Sequence, residues 1–267
     1  MSIRVCLAGI SGWTGKSVAE GVLRSSDLEL VCAVARKSAG QDVGLALGVA
    51  PTGVKVSATL DEALVTPADV LIDYTSATAV KSHVWSALAK KMSVVVGSSG
   101  LTADDYAQIE AEAKRQGVGV IACGNFAITA ALAKHFAVLA AKYVPHFEII
   151  DYAHEHKPDA PSGTGRELAE AIAHVQRNQV GHPIDQIVGS KEARGAQIDG
   201  TPVHSIRLPS FHFGFETIFG LPDERLRIQH EAGAGAGPYV AGTLLAVRKV
   251  QSIKGLIRGM DTLLFGS

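Results

Sequence analysis

Short apolar runs alternate with longer stretches of helical spacing through the first half of the chain. Residues 3 to 8, Leu28 to Val34, Val70 to Tyr74, Ser93 to Gly97 and Val118 to Cys123 are nearly continuous in apolar or small residues, which predicts strands buried on both faces. Val18, Val22 and Leu23 follow the helical period, and helical patterns recur at about 78 to 91 and 103 to 116. Strands that alternate with helices predict an α/β arrangement, a parallel sheet covered on both faces.

After Asn125 the pattern changes. An Ala/Leu-rich helix is expected over 128 to 143, a short strand over Glu148 to Tyr152 and a helix over Gly163 to Val175. From 184 onward alternation takes over: Val203 to Leu208, Phe211 to Phe219 and Arg225 to His230 predict strands, and a glycine-rich break at Gly233 to Pro238 precedes a final helix over Tyr239 to Val250. The second half therefore predicts an α+β domain with a mostly antiparallel or mixed sheet, one face of which can serve a subunit interface. Gln176 to Gln197 is polar enough to form a loop.

Composition narrows the partners. The 267 residues are 47% hydrophobic and 19% charged, with a net charge of -1, so no global positive field draws nucleic acid or an anionic membrane. An anionic small molecule must be met by a local cluster. No segment reaches the roughly 18 unbroken apolar residues of a membrane span, and the apolar run at Ile3 to Gly9 is too short for a signal peptide. Cys6, Cys32 and Cys123 lie beside apolar or small residues, as expected of buried thiols in a cytoplasmic protein.

The run Gly9-Ile10-Ser11-Gly12-Trp13-Thr14-Gly15 joins a predicted strand to a predicted helix, the context in which a glycine turn cradles a dinucleotide pyrophosphate. A tight turn without a ligand is the alternative. The second strand ends at Ala35, where an NAD-preferring fold usually places an acidic residue on the ribose; here Arg36 and Lys37 follow instead. Two cations suit a 2'-phosphate, so NADP is the expected cofactor, with NAD as the alternative. Gly97-Ser98-Ser99-Gly100, at the exit of another strand, is a second small-residue turn that could line the nicotinamide pocket.

The segment from His154 to Thr164 packs two imidazoles, the Glu155 carboxylate, the Lys157 ammonium and two prolines ahead of a Ser162-Gly163-Thr164 turn. It cannot bury an apolar face and is expected to be a loop, either catalytic or merely solvated. Asp159 is expected to shape that loop through local backbone amides. His154 and His156 share a face at a strand end, but no third and fourth ligand presents itself, so no metal is expected. His204, His212 and His230 are expected on strand faces.

These pieces together resemble the dihydrodipicolinate reductase family from end to end. The likeness rests on the glycine turn at 9 to 15, on Gly97-Ser98-Ser99-Gly100, on Gly124-Asn125-Phe126 and, most specifically, on Lys157-Pro158-Asp159-Ala160-Pro161-Ser162-Gly163-Thr164. The resemblance implies a Rossmann domain over 1–126 and 239–267, with a substrate-binding and tetramerisation domain over 127–238. It further implies hydride transfer from NAD(P)H to an imine-like carbon of a cyclic dicarboxylate. Gly9, Ser11, Gly12, Trp13, Thr14, Gly15, Arg36, Lys37, Gly97, Ser98, Ser99, Asn125 and Phe126 would then meet the cofactor. His154, Lys157, Ser162, Gly163 and Thr164 would meet the substrate, with His154 and Lys157 closest to the chemistry.

The chain also departs from the family pattern. Where the family motif reads Glu-x-His-His-x-x-Lys, this chain reads Asp151-Tyr152-Ala153-His154-Glu155-His156-Lys157, so the family's acid is Ala153. The Ser-Arg pair usual before the final helix is absent from Gly233 to Gly237, and an arginine position in the glycine turn is Trp13, which could stack on adenine or ribose. Three readings follow: a reductase with the family's activity, in which His154, Tyr152 or water delivers the proton; a paralogous reductase or dehydrogenase for another imine or carbonyl compound; and a nucleotide-binding regulatory protein without chemistry. His212 or Glu216 could also reach the site from far along the chain.

Overall fold

The computed structural model describes residues 2–266, which fall into two units: residues up to Ile128 together with those from Ala236 onward, and Thr129–Gly235. The first unit begins with β1 (Ile3–Ala8), α1 (Trp13–Arg24), β2 (Leu28–Val34), α2 (Val43–Leu47), β3 (Val56–Ser57) and α3 (Leu60–Ala63). It continues through β4 (Val70–Asp73), α4 (Val80–Ala89), β5 (Ser93–Val96), α5 (Ala103–Gln116) and β6 (Gly119–Ala122). The second unit holds α6 (Ile128–Ala141), whose first residue belongs to the first unit, then β7 (Phe147–Ala153), α7 (Gly163–Val175), β8 (Ala196–Ile198), β9 (Thr201–Arg207), β10 (Phe213–Leu221) and β11 (Glu224–Ala232). The chain then returns to the first unit with α8 (Gly237–Val250), β12 (Gly255–Arg258) and α9 (Met260–Phe265).

The apolar runs become the interior of a seven-stranded sheet in the order β12-β6-β5-β4-β1-β2-β3. Every pairing is parallel. All four residues of β4, of β5 and of β6 are buried, which is why their sequences show no polar alternation. Strand order reverses at β1, which has β2 on one side and β4 on the other, so the crevice beyond the carboxyl ends of β1 and β4 is the switch point where such sheets bind ligands. Helix α1 buries Val18, Ala19 and Val22, and burial of each valine is worth about 1.5–3 kcal/mol. Helix α5 is bounded by local chemistry: Thr102 and Asp105 form a capping box, and Gly117 closes the C-terminus in the left-handed region.

The second unit carries a five-stranded mixed sheet in the order β11-β10-β7-β9-β8. Its central strand β7 runs antiparallel to β10 and parallel to β9. Alternation along β7 buries Phe147, Ile149, Asp151 and Ala153 and leaves Glu148, Ile150 and Tyr152 half-buried. Helix α7 buries Leu168, Ala169 and Ile172 and packs against β7 and β9.

The α/β first unit and mixed second sheet are those expected. Differences are local. The strand expected from Phe211 begins at Phe213, so His212 precedes it, and the helix expected to be last is followed by β12 and α9. The elements α2, β3 and α3 are too short to show a period, although the Asp42 cap of α2 and the Thr59–Glu62 capping box of α3 are readable signals. No helix among the described residues is long and apolar enough to cross a membrane.

Candidate functional site

In the first unit the glycine turn is set by close approaches. Gly9 leaves β1 at φ 93°, and a Cβ there would lie 2.2 Å from the carbonyl oxygen of Tyr74 at the end of β4. A Cβ on Gly15 would lie 2.1 Å from the carbonyl oxygen of Gly9. The Gly12 amide donates to that same carbonyl, and no side chain caps α1, so the amides and positive dipole end of its first turn are open to an anion.

A cleft of about 490 Å³ extends from this turn. Gly9, Ser11 and Gly12 line it at one point, Ala35 and Arg36 at the end of β2, and His83 and its neighbours on α4 elsewhere. Several expected cofactor residues lie outside that wall. Lys37 is exposed and does not line it, and Trp13 is 60% exposed with its ring edge-on to Tyr239 at 5.8 Å, so the tryptophan does not fence the cleft. Thr14 is half-buried in the first turn of α1, and Ser99 is exposed. Gly97 is packed under the Tyr74 ring, and Phe126 is buried edge-on to that ring. Asn125 is half-buried, its Oδ1 accepting from the Ala127 amide at 2.8 Å.

Behind the cleft lies Asp73, fully buried and not anticipated as a site residue. Its Oδ1 accepts from the hydroxyls of Ser98 (2.6 Å) and Thr75 (2.8 Å), and its Oδ2 sits 2.7 Å from His83 Nδ1. Burial pushes the Asp73 carboxyl up, but the hydrogen bonds from His83, Ser98 and Thr75 outweigh it and hold the group below the usual carboxylate range. Ser98 is thus committed to Asp73 rather than free in a nicotinamide pocket. One carboxylate, Asp61 of α3, lines the cleft that Arg36 also lines; it arises after β3, not at the β2 end where an acid was sought.

In the second unit the loop after β7 is pinned by Asp151. This carboxylate is buried and accepts from the Ser162 amide (2.8 Å), the Ser162 hydroxyl (2.5 Å), the Ser205 hydroxyl (3.3 Å) and Arg207 (2.7 Å). Arg207 also donates to the carbonyl of Asp159, so one guanidinium ties the strand to the loop. Gly165 follows from this: a Cβ there would meet the Asp151 side chain at 3.2 Å. The Ser162 hydroxyl in turn accepts from the Gly165 amide as the cap of α7, so Ser162 builds the helix start while Gly163 and Thr164 remain at its rim.

The Lys157 ammonium pairs with Asp159 at 2.7 Å and is 35% exposed. Lys157 and the Gly163 amide both hold the Asp159 carboxyl below its ordinary range, the ammonium foremost. Asp159 therefore does shape the loop locally, and it also supplies the lysine's counter-charge.

His154 is half-buried, with His156 at 5.2 Å and His212 stacked at 6.1 Å between ring centroids. His212 is thus brought in from far along the chain. Glu216 instead accepts from the Tyr152 hydroxyl at 3.1 Å, on the sheet face opposite Asp151 and Ala153. Burial, then the Glu216 carboxylate, raise the Tyr152 phenol above its ordinary value. Ala153 is 0% exposed and lies between Phe213 and Arg207 in the sheet, so an imidazole there requires its neighbours to move. His154, Glu155 and His156 bring ligand atoms within 4.8 Å, but these are three neighbours in one largely exposed turn, one ligand short of a closed zinc site.

Residues 3–126 match the family model for the N-terminus of dihydrodipicolinate reductase, and residues 126–264 match that for its C-terminus. The 4-hydroxy-tetrahydrodipicolinate reductase of Desulfitobacterium hafniense (strain DSM 10664 / DCB-2) is 37% identical over 265 residues, covering 98% of each chain. That of Moorella thermoacetica is 34% identical over 265 residues, again covering 98% of each. Among solved structures, a dipicolinate-bound dihydrodipicolinate reductase from Paenisporosarcina sp. TG-14 superposes with a TM-score of 0.88 at 32% identity, covering 98% of this chain and 100% of that one.

Proposed function

The chain belongs to the dihydrodipicolinate reductase family, and from that premise we propose that it reduces 4-hydroxy-tetrahydrodipicolinate in lysine and diaminopimelate synthesis, with NADPH preferred over NADH. The observation that carries this reading is the Lys157 to Thr164 loop, held by Asp151 so that an ammonium and the start of α7 form an anion cradle. Gly9, Ser11 and Gly12 hold the pyrophosphate, and Arg36 the 2'-phosphate. The nicotinamide supplies hydride. Lys157 and the amides at Gly163 and Thr164 bind a substrate carboxylate, and the substrate displaces Asp159 from the lysine. As the carbon of the imine gains hydride, its nitrogen must gain a proton. His154 is the donor in this reading, because the Tyr152 hydroxyl is engaged by Glu216 on the other face of β7. The same reading makes the protein a cytoplasmic homotetramer. Its cofactor domain is the first unit and its substrate domain the second, which assembles through the sheet face bearing half-buried Ile150, Tyr152 and Ile206.

Two observations favour a second reading, a paralogue acting on another imine or carbonyl compound: Ala153 is buried in place of an acid, and Gly233 to Gly237 carries no cation. The deciding assay mixes purified protein with NADPH and enzymatically generated 4-hydroxy-tetrahydrodipicolinate and follows loss of nicotinamide absorbance. Turnover is expected, and Lys157→Met should raise KM roughly tenfold to hundredfold, the worth of one charged hydrogen bond, with unchanged cofactor affinity. Cofactor binding without turnover would overturn the first reading and leave the paralogue or a nucleotide-binding protein without chemistry. Arg36→Ala should weaken NADPH about tenfold and leave NADH nearly unchanged in fluorescence titrations; equal losses for both would remove the argument for NADPH.

A further inference from the structure

Building on the dinucleotide reading above, we propose that Asp73 is a positioning residue which, by holding Nδ1 of His83, leaves Nε2 as the acceptor that selects an amino-purine over an oxo-purine base in the cleft. The cleft is the nucleoside half of the site. It runs from Gly9, Ser11 and Gly12, where a pyrophosphate would sit, past Ala35 and Arg36, where the ribose is met, and none of Gly97 to Gly100 lines it. What remains of its wall for a base includes α3 and the side of α4 that carries His83.

The proton arrangement follows from the donors around Asp73. The Ser98 hydroxyl accepts from the Thr75 amide at 2.7 Å, so its own proton goes to Asp73 Oδ1 at 2.6 Å, and the Thr75 hydroxyl supplies another at 2.8 Å. A carboxylate so surrounded accepts only, and His83 Nδ1, 2.7 Å from Oδ2, must therefore carry hydrogen. A ring whose one hydrogen is on Nδ1 presents Nε2 as an acceptor. That nitrogen is on the edge turned from Asp73, and the His83 side chain keeps 17% of its surface exposed while Asp73 keeps none. An exocyclic amino group, as in adenine, donates to Nε2. The oxygen of hypoxanthine would oppose it, acceptor to acceptor, and leave both unpaired.

Ser98 belongs to the turn after β5, so Asp73 also ties that turn to the base-reading side chain. Asp61 is the carboxylate on the cleft wall and serves as the control.

The protein is titrated with NADH and with reduced nicotinamide hypoxanthine dinucleotide, following nicotinamide fluorescence. The adenine form should bind about tenfold tighter or better. His83→Phe and Asp73→Asn should bring that ratio close to one, and Asp61→Asn should preserve it. In histidine labelled with nitrogen-15, Nε2 of His83 should resonate as an unprotonated ring nitrogen and should shift when NADH binds but not when the hypoxanthine form does, a difference that a purely structural role for Asp73 does not produce. Should Asp73→Asn fail to fold, the wild-type resonance and His83→Phe still decide. Binding of neither dinucleotide would sink the cofactor reading and this proposal with it. Binding of both alike, loss of selectivity in Asp61→Asn alone, or a protonated Nε2 would overturn only the role given to Asp73 and His83.

Discussion

Replacing Asp151 with alanine is expected to destabilise the protein by about 3–5 kcal/mol and to remove turnover, the largest effect of any single side chain in the second unit. The carboxylate is 0% exposed and serves four donor groups from two parts of the chain: the α7 start, with the Ser162 amide and hydroxyl, and β9, with the Ser205 hydroxyl and the Arg207 guanidinium. Its loss leaves Arg207, only 16% exposed, without a counter-charge, and frees Ser162 from its place at the helix start. An uncompensated buried cation and a lost helix cap act in the same direction. Chemical denaturation should show a lower midpoint at an unchanged slope, and any activity that survives should carry a raised KM, since Lys157 and Gly163 hang on the loop that Asp151 pins. Asp151→Asn separates charge from shape, because the amide keeps two hydrogen-bonding positions but not the charge facing Arg207. A melting curve for Asp151→Ala that overlays the wild type would show that the loop is held by something else.

That dependence bears on what could be read in the sequence. The strands β1, β2, β4, β5 and β6 were legible because burial writes itself as a nearly continuous apolar run, and α5 and α7 because helical spacing is a local pattern. The glycine turn and the Lys157 to Thr164 loop were legible as local strings. The groups that hold those strings in place were not. Asp151 finds Arg207 56 residues further on, and Asp73 finds Ser98 25 residues away, distances that only strand pairing closes. Asp73 stands as one polar residue at the end of an apolar run, where nothing local distinguishes a network from a strand terminus. Ala153 was visible as a missing imidazole, but its burial depends on the two-residue period of β7, which puts it on the same face as Asp151 and away from Tyr152. A one-residue shift would have exchanged those environments.

The same contrast between a visible string and its hidden constraint governs the second large effect, Gly15→Ala. As a string, Gly15 is the third glycine of a common turn, and alanine is the smallest possible change. In the fold, its Cβ would stand 2.1 Å from the Gly9 carbonyl oxygen and 2.8 Å from the carbonyl carbon, both backbone atoms with no rotamer to yield. Gly9 cannot retreat, because its own Cα faces the Tyr74 carbonyl just past β4 so closely that an added carbon would come within 2.2 Å. The added methyl must therefore push α1 away from the switch point, taking its first-turn amides with it. A displacement near 1 Å in a positioned group can cost a factor of about one hundred, so dinucleotide affinity should fall by at least that order. The rest of the fold should survive with a loss of about 1–3 kcal/mol, the usual cost of overpacking. Gly12→Ala supplies the scale: its Cβ would lie 3.2 Å from the same carbonyl, a contact that a shift of a few tenths of an ångström relieves. Fluorescence titration with NADPH should rank the two variants in that order, with circular dichroism confirming that both are folded. Equal affinities would mean that the spacing between Gly9 and Gly15 does not set the pyrophosphate turn.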